Sequence, residues 1–536
     1  MTDRRSLHGP RVLPWGRAEF SVWAPLLERV ELCICGDTPR YLPLERCGEG
    51  FWQGIVDDCP PGTRYRFRLD GAVERPDPAS RLQPEGVHAP SELTDPSFSW
   101  GDAGWRGMPM EDLVVYELHV GTFTDEGTFD GVVRMIPYLR ELGVTAIELM
   151  PVSQFPGGRN WGYDGVYPYA PQDSYGGAAG LKRLVDACHA AGIAVLLDVV
   201  YNHLGPEGNY LGDFGPYFTD HYRTPWGKAI NLDGPWSDQV RRFFIDNALY
   251  WQQEFHLDGL RLDAVHHIYD MGPRHFLQEL AGEVHAAAER EGRKFLVIAE
   301  CDLNDPRLVR PEALGGYGLD GVWCDDFHHS MHPLLTGERE GYYMDFGEPS
   351  HLARSFRDAY VYTGQFSKLR KRRQGGPTHG IPPRSFVVFA QNHDQVGNRL
   401  LGERLAAIVP SADEQRLAAM TVLLSPFVPL LFMGEEYGEK APFPYFVSHG
   451  DTALIEAVRC GRREEFPYYD WNTEVPDPPE ERTFRMAVID PSQRERREQA
   501  AIFAFYREAI GLRRELRMAE GEREVRQEEG LLLVHL

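Results

Sequence analysis

Downstream of residue 112 the chain alternates short, almost wholly apolar runs with amphipathic stretches, the texture of a parallel sheet covered by helices. Eight of the apolar runs read as strands, at 113–119, 144–152, 193–202, 257–266, 295–300, 321–327, 385–393 and 428–435. Helical periodicity appears between them at 129–142, 180–191, 237–254 and 274–290, with 499–516 as the last helix. Eight strands are what closes a (β/α)8 TIM barrel. A doubly wound open sheet has the same texture, but no Gly-x-Gly-x-x-Gly turn follows the first strand.

The pattern before residue 112 is different. Strands at 18–23, 30–35, 51–56 and 63–69 are separated by turns such as Cys59-Pro60-Pro61-Gly62, which predicts a small N-terminal β-sandwich over 1–95. Trp23, Trp52, Tyr65 and Phe67 are expected to fill its core. A Gly- and Pro-rich linker at 96–111 leads into the barrel at 112–516. Residues 517–536, mostly charged and then apolar, read as the start of a C-terminal β-domain that is incomplete or very short. One strand cannot bury its own faces, so truncation is the expected reason.

Polar residues gather where the predicted strands end: His119, Asn202 and His203, Asp263 and His266, Glu300, Asp325 and Asp326, then Asn392, His393 and Asp394. A single Asp or Asn there is explained as a helix cap; six such ends on one rim point to a site, because this rim is where barrels carry their chemistry. In the fourth strand, Arg261 and Asp263 stand two residues apart and so face the same way. Two readings are open for that pair alone: a structural ion pair, or a carboxylate held ionised for chemistry. Long Gly- and aromatic-rich stretches at 154–177 and 204–236 are expected to wall a cleft.

Charge narrows the partners. A net charge of -24 over 536 residues disfavours nucleic acid and anionic lipid, and the basic run Lys368 to Arg373 reads as a solvated face. No apolar run is long enough for a membrane span, no secretory signal opens the chain, and the eight cysteines show no metal spacing, so reduced thiols in a cytoplasm are expected.

Asp263, Glu300 and Asp394 fit glycosidic bond hydrolysis, which needs one carboxylate at the anomeric carbon and one protonated acid at the leaving oxygen. Arg261 favours the ionised form of Asp263; Glu300, after the apolar Phe295-Leu-Val-Ile-Ala, suits the acid. The rival use is a zinc or iron site built on His266, His267, His328, His329 and His332. No His-Glu-x-x-His occurs, so no metal and no cofactor is expected.

Four segments, Asp198-Val-Val-Tyr-Asn-His203, Gly259-Leu-Arg-Leu-Asp263, Ile298-Ala-Glu300 and Gln391-Asn-His-Asp394, resemble in order and strand position the signature regions of the α-amylase superfamily, glycoside hydrolase family 13. The resemblance implies a retaining enzyme with Asp263 as nucleophile, Glu300 as general acid/base and Asp394 as transition-state stabiliser. Arg261, His203 and His393 would hydrogen-bond around the sugar, and Tyr163 would stack on it. Trp161, Trp226, Asp326, Phe327, His328 and His266 are expected to contact substrate as well. Longer stretches, among them Gln154 to Tyr169 and Gly205 to Phe218, resemble one branch of the superfamily, whose members cut the α-1,4 bond next to the trehalose end of maltooligosyl trehalose. Branching and debranching enzymes share the sandwich, the barrel and the three carboxylates, and separate from this branch only in the loops after strands two, three and six. A catalytically silent glucan-binding protein is the rival of a different class, and the intact carboxylate set argues against it. One local departure from the pattern is Cys301, where a serine is expected after the acid.

Overall fold

The apolar runs do become eight parallel strands in the computed structural model, which describes residues 8–465, 474–518, 524–528 and 531–535. The strands are β1 (Val115–Leu118), β2 (Ala146–Leu149), β3 (Ala194–Val199), β4 (Gly259–Leu262), β5 (Leu296–Ala299), β6 (Gly321–Trp323), β7 (Phe386–Phe389) and β8 (Val428–Phe432). They pair in sequence order, and β1 returns to β8 through Val115 with Leu430 and Glu117 with Phe432, so the sheet is a closed barrel. Residues of the strands are buried throughout, as expected where helices cover a parallel sheet. Seven of those helices are α1 (Phe129–Leu142), α2 (Gly177–Ala190), α3 (Ser237–Glu254), α4 (Phe276–Glu291), α5 (Asp325–Thr336), α6 (Ala412–Leu423) and α7 (Arg497–Leu516). The Thr128 side chain caps α1 by accepting from the Gly131 N–H, and Gly143, at φ 99°, ends it in the left-handed turn that glycine favours. Arg513 of α7 closes the ring by donating to the carbonyls of Leu423 and Ser425, at 2.9 and 2.7 Å.

Each strand stops before the polar residues that the periodicity attached to it. In the fourth the difference matters: β4 ends at Leu262, Asp263 begins the turn, and Ala264 sits at φ 38°, a left-handed angle that a side chain disfavours. The run at 321–327 divides further, into β6 and the start of α5.

Ahead of the barrel, antiparallel strands form two sheets. Phe51–Val56 pairs with Arg17–Trp23 in one, and Val30–Ile34 pairs with Arg64–Leu69 in the other. Phe20 from the first meets Tyr65 from the second edge-on, ring centres 4.8 Å apart, and Trp23, Trp52, Tyr65 and Phe67 are all buried, as expected. Glu524–Glu528 and Leu531–His535 form an antiparallel hairpin, so the charged stretch supplies a strand where the sequence suggested only one apolar strand. Residues 1–7, 519–523, 529–530 and 536, on which part of the reading of the two ends falls, lie outside the described residues.

The Gly- and Pro-rich residues 96–111 form a strap across the N-terminal face of the barrel. His189 of α2 lies between two carboxylates, its Nδ1 2.9 Å from Asp102 of the strap and its Nε2 2.9 Å from Asp258 just before β4. Trp105 stacks on that imidazole and donates its indole N–H to Asp258 at 2.6 Å, while His256 adds a second contact to Asp102 at 2.8 Å.

Candidate active site

At the opposite, C-terminal face, Arg261 is the hub. Its guanidinium is fully buried, lies 4.3 Å from the Trp323 ring centre, and donates from Nη1 to Asp198 and Asp263, both at 2.8 Å. Its Nη2 stands 3.8 Å from Glu300, so one cation contacts both prospective catalytic carboxylates. Asn202 donates to the other oxygen of Asp263 at 3.0 Å, and the Ala264 N–H donates to Glu300 at 2.6 Å.

The two carboxyls are pushed in opposite directions. Burial on its own would raise Asp263, but Arg261, His203 and the Asn202 hydrogen bond outweigh it and hold the group below its ordinary value. Burial also raises Glu300; here Arg261 opposes less than burial and the charges of Asp263, Asp325 and Asp394 add up to, and the group is held well above the usual carboxylate range. An ionised carboxylate beside a protonated one is the division of roles that glycoside cleavage uses.

Asp394 stands at the rim, with 42% of its side chain exposed and an oxygen 3.5 Å from His393 Nε2. His393 is buried, its Nδ1 2.5 Å from Glu117 of β1 and its Nε2 2.7 Å from the Tyr163 hydroxyl. Tyr163 in turn donates to Asp198 at 2.6 Å. His203 bonds Asn202 at 2.7 Å and is covered by Trp226, which projects half-exposed from the turn of the hairpin Phe218–Thr224 and Gly227–Ile230 with its ring parallel to the imidazole at 4.3 Å. A cavity of about 580 Å³ opens beside this group, and Glu300, Asp394, Asp325, His266, His329 and Arg370 are among its walls. A larger hollow of about 760 Å³ lies at the other end of the barrel against Met110, Lys294 and Ser385, without any such acid pair. Chemistry, and not size, marks the site.

Four of the expected contact residues are elsewhere. Trp161 is buried, stacked on Phe443 and edge-on to His393, so it packs the floor and offers no open face. Phe327 lies in the core between Phe356 and Phe427. Asp326 accepts from the Val361 and Tyr362 N–H groups at 2.7 and 2.9 Å and anchors that loop, and His328 bridges the Ala390 carbonyl and the Tyr343 hydroxyl. The cause is the early start of α5. In a helix, residues four apart share a face, so Asp325 and His329 look into the cavity while Asp326 and His328 turn inward. Arg370 likewise leaves the expected solvated run to pair with Asp302 at 2.7 Å on the cavity wall. Glu117 and Glu148, each in a wholly buried strand, are not among the expected site residues; a charged side chain within an apolar run is the available signal, as it is for Arg261. His119 bonds Thr122 and the Asn160 carbonyl away from the cavity.

A family model for the alpha amylase catalytic domain matches residues 96–224. The malto-oligosyltrehalose trehalohydrolase of Saccharolobus solfataricus is 48% identical over 93% of this chain and 86% of its own length. The enzyme of the same name from Arthrobacter ramosus is 48% identical over 94% and 88%. A crystal structure described as an alpha amylase from Salmonella typhimurium superposes with a TM-score of 0.90 at 40% identity, over 97% of this chain and 89% of that one. The closed barrel with these relatives defines the class, a glycoside hydrolase of the α-amylase superfamily. Within it, the chain belongs to the malto-oligosyltrehalose trehalohydrolase family.

Proposed function

We propose that the chain cleaves the α-1,4-glucosidic bond next to the trehalose end of maltooligosyl trehalose, with retention of configuration. The Asp263 carboxylate attacks the anomeric carbon as the Glu300 carboxylic acid gives its proton to the glycosidic oxygen; the carbon–oxygen bond breaks and trehalose departs as a neutral alcohol. Glu300, now ionised, takes a proton from water, whose oxygen displaces Asp263 and frees the shortened glucan. Asp394 stabilises the positive charge that develops on the sugar in the transition state of each step. The observation that carries this reading is the contact of Arg261 with two carboxyls driven to opposite protonation states.

The sandwich, linker and barrel at 1–95, 96–111 and 112–516 belong to this reading, as does a cytoplasmic setting, which eight free thiols support. Among the described residues no helix is long and apolar enough to cross a membrane. Incubation of the purified protein with maltooligosyl trehalose is expected to yield free trehalose and a glucan born as the α-anomer. Formation of α-1,6 linkages from amylose would instead make it a branching enzyme.

A further inference from the structure

A carboxylate on the first barrel strand has no place in that two-acid chemistry, yet it grips a histidine of the site. Both oxygens of Glu117 accept from His393, Oε1 from the ring Nδ1 at 2.5 Å and Oε2 from the backbone N–H at 3.0 Å. Both side chains are about 1% exposed, so water offers neither an alternative partner. We infer that Glu117 is a positioning residue that keeps His393 as an imidazolium and, through it, orders the hydrogen-bond chain leading to Asp263.

The proton count supports this. The Tyr163 hydroxyl has one proton and donates it at 2.6 Å to Asp198 Oδ2; that oxygen also accepts from Arg261, so any proton on the Asp198 carboxyl sits on Oδ1. The Tyr163 oxygen must therefore accept from His393, so Nε2 carries a proton. Nδ1, facing a carboxylate oxygen, carries one too. The chain then runs without a break from Glu117 to His393, Tyr163, Asp198, Arg261 and Asp263, every link between 2.5 and 2.8 Å. The charged and titratable groups facing the imidazole are Glu117 on β1, Asp394 beside it, Arg261 on β4, His119 after β1, Glu148 on β2, Asp198 on β3 and Tyr163. Burial and Arg261 disfavour its charge, but Asp394 and Glu117 prevail and raise it to about 9. Asp394 thereby has a fixed positive neighbour 3.5 Å away, at the edge of the cavity.

The inference rests on the catalytic reading above, and its test separates the two. In protein carrying 13Cε1-labelled histidine, the His393 resonance is identified by its loss in His393→Gln, and its titration is followed in wild type and in Glu117→Gln. The expected wild-type midpoint is near 9; in Glu117→Gln, proton affinity is expected to drop by about 100-fold, with kcat reduced ~10- to 100-fold, KM little changed and the alkaline fall of activity moved to lower pH. A part played only in packing would lower stability without moving that limb. A wild-type midpoint at or below that of an ordinary imidazole overturns the inference without any variant having to fold, and so does an unmoved midpoint in Glu117→Gln. Asp263→Asn, assayed alongside, tests the catalytic reading itself: a fully active variant would remove that reading and leave the His393 titration standing.

Discussion

The two ends of the barrel each hold a buried histidine against carboxylates, and they put it to different use. At the N-terminal face, His189 is enclosed by Asp102 and Asp258, roofed by Trp105, and has no route to solvent or substrate. At the C-terminal face, His393 has Glu117 on one side, but its other nitrogen reaches Tyr163 and the partly exposed Asp394 at the edge of a cavity. A buried histidine held by carboxylates is therefore no sign of catalysis in itself. What distinguishes the rim is that its charges are unequally satisfied: Arg261 Nη2, one oxygen of Asp198 and both oxygens of Glu148 are buried there without a hydrogen-bond partner among the described residues. Burial, with Glu117 adding, drives Glu148 well above the usual carboxylate range. Around His189, by contrast, no side-chain atom of Asp102, His189, His256 or Asp258 is buried without a partner among the described residues.

The strongest way to break this comparison is at the rim. Asp263→Asn and Glu300→Gln are each expected to lower kcat by ~10³-fold or more with the fold retained by circular dichroism, and near-normal turnover in either would refute its role. Next comes the strap: His189→Ala takes one partner from each of two buried carboxylates, leaving Asp102 with His256 and Asp258 with Trp105, and is expected to cost about 1–3 kcal/mol in urea unfolding, while kcat per folded molecule stays unchanged. A loss of kcat there would mean that the two faces are coupled. The pH dependence is more graded. Burial holds Asp325 and Asp198 near 7 in the folded chain, far above an unfolded aspartate, so both contribute stability at low pH that is lost as pH rises through about 7. Asp263, held below its ordinary value, contributes the opposite way: its share is present above the unfolded aspartate range and lost as pH falls through the lowered value. The unfolding midpoint in urea, followed from pH 5 to 9, is expected to fall, and a rise would show that the rim carboxyls are not protonated when folded. The smallest effect belongs to Cys301→Ser. The thiol is buried next to Glu300 and differs from a hydroxyl by little in volume, so kcat is expected to change less than about twofold.

The barrel was legible because eight apolar runs and their intervening helices carry distinct periods, and Phe129–Leu142 and Ser237–Glu254 match the predicted limits. The three carboxylates were legible because each follows such a run. What escaped was orientation just past the strand ends. Nothing in Asp325-Asp-Phe-His-His says that a helix begins at its first residue, and a helix that starts there exchanges which of two neighbouring aspartates and which of two neighbouring histidines face the cavity. Trp161 and Phe327 misled for a related reason: an aromatic side chain suits a sugar-binding wall and a packed core equally well, and only tertiary contacts decide. Arg370 was hidden by its basic neighbours, whose solvated character says nothing about one member that turns toward Asp302.

The bond between Glu117 and His393 joins residues 276 positions apart in the chain. At translation rates of roughly 5–20 residues per second, about 14–55 s separate the synthesis of the two partners. Throughout that interval the first strand also lacks its neighbour on one side, since β8 follows later still. The nascent chain thus carries an unpaired strand edge with a carboxylate at its centre, and a charge in that position discourages pairing with other chains. Glu117 is in this sense of use before any active site exists, because it guards the edge that its later partner will help to close.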